Sequence, residues 1–213
     1  MKKAIFSISY LGPVQYYAHF MNSEQVILEK HCNYTKQTYR NRCNIFGANG
    51  TLSLTIPVDK QNKTKCKSKD VRISYDTPWN TLHWKSITSA YNSSPFFEYY
   101  MDDFYPFYEK RHKYLFDFDV QLMEVIFDII GIHPNIACSE EYITETDSEN
   151  YFDYREIIHP KKDYRINDPI FVPATYRQLF TEKNGFISNL SIIDLIFNKG
   201  PESLIVLKQS LRD

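Results

Sequence analysis

Hydrophobic and polar positions change rhythm about a third of the way along the chain. Up to Tyr75 the apolar residues alternate with polar ones, as half-buried strands require. Lys3 to Ser9 predicts a first strand, and Gly12-Pro13 turns the chain into a helix through Met21. Gln25 to Lys30 reads as a second strand. Arg40 to Phe46 and Thr51 to Val58 flank Gly47-Ala48-Asn49-Gly50, and Asn-Gly at a tip signals a hairpin. Asp70 to Tyr75 supplies one more strand. Thr77-Pro78 then starts a helical stripe through Trp79, Leu82, His83, Ile87, Ala90 and Tyr91.

Ser94-Pro95 starts a second helix reaching about Glu109, and Asp119 to Ile130 a third, stopped by Gly131. The acidic stretch from Ser139 to Asn150 predicts a surface loop, and Asp153 to His159 a short edge strand. Thr175 to Lys183 predicts a helix ending at Asn184-Gly185. Ser191 caps a helix through Asn198, with Asp194 where a capping box places its acid. Gly200-Pro201 separates it from the last helix. Strands come first and helices later, which predicts an α/β or α+β fold. A mixed or mainly antiparallel sheet from the N-terminal half would carry helices on it, in a single domain spanning residues 1–213.

Charge changes this picture little. Lys plus Arg number 25 and Asp plus Glu 26, so no overall field favours nucleic acid or an anionic membrane. No apolar run approaches the roughly 20 residues of a membrane span, and the segment after Met1-Lys2-Lys3 breaks at Ser7, Ser9 and Gly12. A cytoplasmic location follows as an expectation. Cys32, Cys43, Cys66 and Cys138 show no metal-ligand spacing and are expected as thiols in a reducing compartment, Cys66 the most reactive. With 17 Tyr and 15 Phe, the rings serve either as core filler or as stacking platforms in a cleft, and filler is the simpler reading.

Four blocks of sequence carry a resemblance. They are Tyr10-Leu11-x-Pro13; Tyr34-x-Lys36 with Asn41-Arg42-x-x-Ile45 and Thr55-Ile56-Pro57-Val58; Trp79 with Ala90-Tyr91-x-x-Ser94-Pro95-Phe96-Phe97; and Asn189 to Asn198. In this order and spacing they resemble the WbqC-like protein family over nearly the whole chain. Ile8-Ser9 replace the family's usual Gln-Pro opening. Asp153 to Lys161 replaces a glycine-rich segment, a form associated with Bacteroides-type bacteria. The resemblance implies a place in O-antigen or other surface-polysaccharide biosynthesis, with transfer of a small acyl or aminoacyl group such as glycine to a sugar.

The residues suggest where such chemistry would sit. Tyr34, Lys36, Arg40, Asn41 and Arg42 cluster before a strand, and arginine forks suit phosphate or carboxylate. The alternative is an edge strand with solvated charge. Tyr10 and Pro13 close the first strand, where ligand crevices open, or else form a tight aromatic turn. His83, on an apolar stripe, reads as a hydrogen-bonded core residue. His159, four residues after Arg155, is the candidate catalytic base. Lys60, Lys63, Lys65, Lys67 and Lys69 read as a solvated run. No metal or cofactor motif is present.

Two functions are open. One is a transferase in which Lys36, Arg40 and Arg42 hold the anionic part of a sugar intermediate, with Tyr10, Asn41 and Arg155 as further substrate-binding residues. Tyr34 and Tyr91 would stack on or hydrogen-bond the sugar, and His159 would be the base. The other is a non-catalytic binding or accessory protein for a nucleotide-sugar or a partner enzyme.

Overall fold

A computed structural model of the chain describes residues 3–59, 66–144 and 151–212. Strand β1 (Lys3–Phe6) runs into the interior, and helix α1 (Val14–Met21) returns the chain to β2 (Gln25–Leu28), which pairs parallel with β1. Two strands from the second half complete the sheet: β5 (Ile136–Cys138) beside β2, and β6 (Phe152–Asp153) beside β1. All pairings in this four-stranded sheet, ordered β5-β2-β1-β6, are parallel. Antiparallel pairing is confined to the expected hairpin, β3 (Arg42–Gly47) with β4 (Gly50–Thr55), where Gly50 turns at φ +104°.

The mixed α/β class and the single domain are as the sequence predicts, with one contiguous core. The sheet differs in its make-up, because half its strands come from the second half of the chain. Pairing direction is set by the crossover through α1, and a short apolar run does not encode it.

Helices α2 (Trp79–Tyr91), α3 (Phe97–Glu109) and α4 (Leu115–Ile130) form where predicted, although Leu82 of the expected α2 stripe is exposed, and Gly131 closes α4 at φ +75°. Asp70–Tyr75 forms isolated bridges, Arg72 to Tyr114 and Val58 to Ile73, in place of a strand. The acidic stretch is described only to Thr144, and Lys60, Lys63 and Lys65 lie outside the described residues. After the short turns α5 (Tyr164–Asn167) and α6 (Thr181–Asn184) come α7 (Ile192–Lys199) and α8 (Ser203–Gln209). The helix expected over Thr175–Lys183 shrinks to α6. Upstream of it the backbone is extended, its Val172 and Ala174 N–H groups donating to Ser210.

α1 has Pro13 at its N-cap position, which offers no side-chain acceptor. Its first N–H groups are satisfied from the far end of the chain: Val14 N–H donates to Leu190 O (2.9 Å) and Gln15 N–H to Asn189 Oδ1 (3.0 Å). Ser191 caps no helix with its own hydroxyl. Its Oγ donates instead to the carbonyl of Leu11, a buried residue at φ +41° (2.7 Å). The capping box is likewise absent, because Asp194 is buried and accepts from Tyr91, Tyr176 and Gln178.

A second buried network is complete in itself. Tyr10 OH lies 2.9 Å from both His83 Nδ1 and Tyr108 OH, while the other His83 nitrogen reaches the Thr55 carbonyl. Burial pushes the His83 imidazole down to about 4. Its folded pKa therefore lies below the unfolded one, so protonation favours the unfolded chain. The resulting stability is complete above about pH 6.5 and declines as pH falls toward 4, by about 3 kcal/mol. Urea midpoints across this range should fall in the wild type and fall less steeply in His83→Gln. Parallel slopes would contradict the assignment.

Candidate functional site

The parallel sheet opens a crevice at the carboxyl ends of β1 and β6. Here the chain leaves β1 toward α1 on one side, while β6 arrives on the other from far along the sequence. This is the switch point where open parallel sheets bind ligands. The walls are Ser7, Ile8 and Ser9 after β1, Thr38, Tyr39 and Arg40 from the loop before β3, and Tyr154, Arg155 and Ile158 after β6. The loop is fastened to the strand extension: Tyr10 N–H and Ser9 Oγ both donate to Tyr39 O (2.9 and 3.4 Å).

Arg40 is the distinctive group. It is only 5% exposed, yet it makes no ion pair among the described residues. Its Nη2 donates to Ser7 Oγ (2.6 Å) and approaches Cys32 Sγ (3.7 Å), and Nη1 reaches Thr38 Oγ1 (3.4 Å). Its buried Nε has no partner. Buried charges are normally paired, because removing an ion from water costs several kcal/mol. The guanidinium, held by hydroxyls and a thiol, lines a narrow crevice whose free volume is about 10 Å³, room for one water.

Arg155 faces the same crevice but is already answered. Its Nε and Nη2 bind Asp153 at 2.6 to 3.0 Å, Nη1 donates to Ile143 O (2.8 Å), and Glu29 lies 3.7 Å away. The Asp153 hydrogen bonds, foremost, raise its already high pKa. Arg155 therefore shapes the wall. Glu29, fully buried at the end of β2, anchors the neighbourhood by accepting from His31 N–H (2.6 Å), Cys32 N–H (3.2 Å), Ser139 Oγ (3.0 Å) and Ile143 N–H (2.8 Å).

His159 sits half-buried next to Ile158, within the field of Arg40. Burial first, then Lys162, Lys161 and Arg40, hold its imidazole below the usual value against the opposing pull of Glu156. The ring is thus neutral at pH 7. Lys161 N–H donates to Nδ1 (3.1 Å), which assigns the proton to Nε2 and makes the ring a donor. A base role needs that contact released. Lys161 Nζ also bonds Gln37 Oε1, joining this loop to the one that carries Arg40.

The other expected residues divide. Tyr34 is half-buried in the field of Arg40 and Arg42, and Lys36 is exposed on the same loop. Arg42 lies on β3, donating to Thr55 Oγ1 (3.1 Å), outside the crevice. Asn41 is buried, its amide donating to Ile56 O (2.8 Å). Tyr10 and Tyr91 are wholly enclosed, and Tyr91 OH binds Asp194 (2.9 Å). Both rings are closed off from solvent by the core, so they occupy core positions and not the places beside a sugar expected for them.

The matched family model describes the WbqC-like protein family and covers residues 9–159 and 137–206. The chain belongs to the WbqC-like protein family. The chain is also similar to a curated protein, the uncharacterized protein Rv1507c of Mycobacterium tuberculosis. It is 26% identical, over 95% of this chain and 96% of its own length. No solved structure matches. Within this WbqC-like chain, the described residues hold no cluster of three His, Cys, Asp or Glu suited to a metal, and no helix long and apolar enough to cross a membrane. The four cysteines form no disulfide. Cys138 is the exposed one, whereas burial and then Asp70 raise the Cys66 thiol.

Sequence reasoning passed over Ser7, Thr38, Tyr154 and Glu29. Glu29 carried a signal, an acid closing an apolar strand. Glu29→Ala would leave three backbone donors and Arg155 without their acceptor, and should cost about 3–5 kcal/mol in urea denaturation. A loss below about 1 kcal/mol would contradict its anchoring role.

Proposed function

We propose that this protein is a transferase of surface-polysaccharide assembly acting on an anionic sugar intermediate, with Arg40 as its anion anchor. The observation that carries this reading is the buried guanidinium without a counter-charge at the sheet's switch point. Phosphate or carboxylate on the sugar supplies the missing charge. Lys36 on the loop and Arg42 at the start of β3 add positive charge around Arg40, and Tyr34 lies in the field of both arginines. The resemblance to WbqC-like proteins supports a place in surface-polysaccharide assembly, and the step read from it is transfer of a small acyl or aminoacyl group to a sugar hydroxyl or amine. In that step the sugar oxygen or nitrogen bonds the acyl carbon of an activated acyl donor as that carbon's bond to its activating group breaks. The activating group leaves with the electron pair and takes up, directly or through water, the proton lost by the attacking group. The role assigned to His159 Nε2–H is donation to the charge that develops on the acyl oxygen.

A second reading has one observation in its favour. With Nδ1 of His159 engaged by Lys161, the crevice shows no free imidazole lone pair to take the attacking group's proton. A non-catalytic binding or accessory protein for a nucleotide-sugar needs none.

Both readings require the anion. Arg40→Met, of similar length but neutral, should keep a melting midpoint close to the wild type without ligand, because the unpaired charge it removes is itself costly. Inorganic phosphate should stabilise the wild type, by about 2.7 kcal/mol at a hundredfold excess over Kd, and leave Arg40→Met unmoved. Equal phosphate responses in the two proteins would refute the anchor. His159→Ala then separates the readings: retained phosphate binding with lost turnover of acyl donor and sugar phosphate supports transfer. Binding by the wild type without product, across donors, supports the accessory protein.

A further inference from the structure

A separate cavity forms where the end of the chain pairs with the segment after α5. Phe171 makes an antiparallel bridge with Leu211, Val172 N–H donates to Ser210 O and Arg212 N–H to Ile170 O (both 2.9 Å). This cavity holds about 350 Å³, whereas the crevice at Arg40 has room for one water. Its apolar walls are Pro169, Phe171, Val172 and Pro173, beside the ring of Tyr164. The charged groups lining it are Arg165 and Arg212, and no acid among the described residues joins them.

The walls are fixed from behind. Asp168, buried just before Pro169, accepts from Gln15 Nε2 and lies against His19 Nε2, both on α1 and both at 2.6 Å. Tyr164 OH meets Ser188 Oγ at 2.8 Å, and its ring packs edge-on against Phe171, with centroids 5.2 Å apart. Prolines at 169 and 173 stiffen the backbone and leave no N–H to satisfy. A small molecule entering here meets a formed surface, so little ordering of the chain opposes its binding.

Both arginines are exposed, and neither guanidinium makes an ion pair or hydrogen bond among the described residues. Arg165 lies over the Tyr164 ring, 5.6 Å from its centroid, and its hydrogen bond to Asp163 Oδ1 comes from the backbone N–H. Other cavities of comparable room lack such a pair. One of about 290 Å³ beside the end of α4 mixes Glu124 and Asp128 with His133, and one of about 310 Å³ at the hairpin tip has Lys85 as its charge. Two like charges lining one cavity repel each other, and an anion held by both forks removes that repulsion.

Exposed ion pairs are weak in water, so these charges alone would not hold a bare ion. The apolar walls must supply the remainder, and they do so only for a ligand with an apolar body. We infer that this cavity binds a small molecule carrying a phosphate or carboxylate on a ring-sized apolar body. The anionic group lies on Arg165 and Arg212, and the body against Phe171, Val172 and the two prolines. The site shares no lining residue with the crevice at Arg40, so either can stand without the other.

Calorimetric titration of the full chain with phenyl phosphate, benzoate, inorganic phosphate and benzyl alcohol tests this. Arg40→Met serves as the background, so that binding in the crevice does not contribute. There, phenyl phosphate or benzoate should bind about tenfold or more tightly than inorganic phosphate and benzyl alcohol, and the tighter of the two identifies the anionic group. Adding Arg165→Gln and Arg212→Gln, both on exposed side chains, should leave the melting midpoint unchanged and weaken that binding about tenfold or more. Val172→Trp, which fills the cavity and keeps both arginines, should abolish it. Similar affinities for all four probes, no binding in the millimolar range, or binding that survives either the paired arginine substitutions or Val172→Trp would each overturn the inference. Binding by the wild type that disappears in Arg40→Met would overturn it too, by placing the ligand in the crevice.

Discussion

The bond from the Arg40 guanidinium to Ser7 Oγ, at the end of β1, ties a loop, a strand and a charge together. β1 is the inner strand with β2 on one side and β6 on the other, so its carboxyl end is where both halves of the chain meet. Whatever is fixed to Ser7 is fixed to the frame of the protein. The loop that brings Arg40 there is held by Tyr39 O, which accepts from Ser9 and Tyr10. A cation placed so firmly, with only neutral partners, is costly to the fold alone. The anion proposed for this site would supply the missing counter-charge.

The ends of the chain are equally interdependent. α1 begins without an acceptor of its own, and Asn189 and Leu190 supply what Pro13 lacks. Ser191 then holds Leu11 in a left-handed turn just before α1. The crevice wall after β1 is therefore oriented from nearly two hundred residues away. Local propensity at residues 7–13 does not specify it. Glu29 does similar work on the other flank, gathering the ends of β2 and β5 and the turn that carries Arg155.

These dependencies explain which parts of the structure the sequence makes legible. The long stripes of α2, α3 and α4 and the Asn-Gly hairpin are local signals, and they read correctly. Strand β5 is three residues long and exists only because β2 offers an edge, so no window of sequence displays it. Parallel pairing of β1 with β6 joins residues some 150 positions apart, and alternation contains no such information. At the site, the arginines were visible as residue types suited to anions. Which of them is paired was not, because Asp153 pairs with Arg155 while no carboxylate among the described residues pairs with Arg40, and only the folded chain distinguishes them. Tyr10 and Tyr91 illustrate the converse: an aromatic at a strand end or on a helix stripe looks the same whether it faces a ligand or a buried hydroxyl partner.

The measurement that bears most directly on the uncompensated guanidinium is anion location by diffraction. Crystals of the protein soaked in tungstate, a phosphate analogue with strong anomalous scattering, should show a peak within hydrogen-bond reach of Arg40 between the ends of β1 and β6. No peak there, with tungstate bound at other basic residues of the same crystals, would contradict the account.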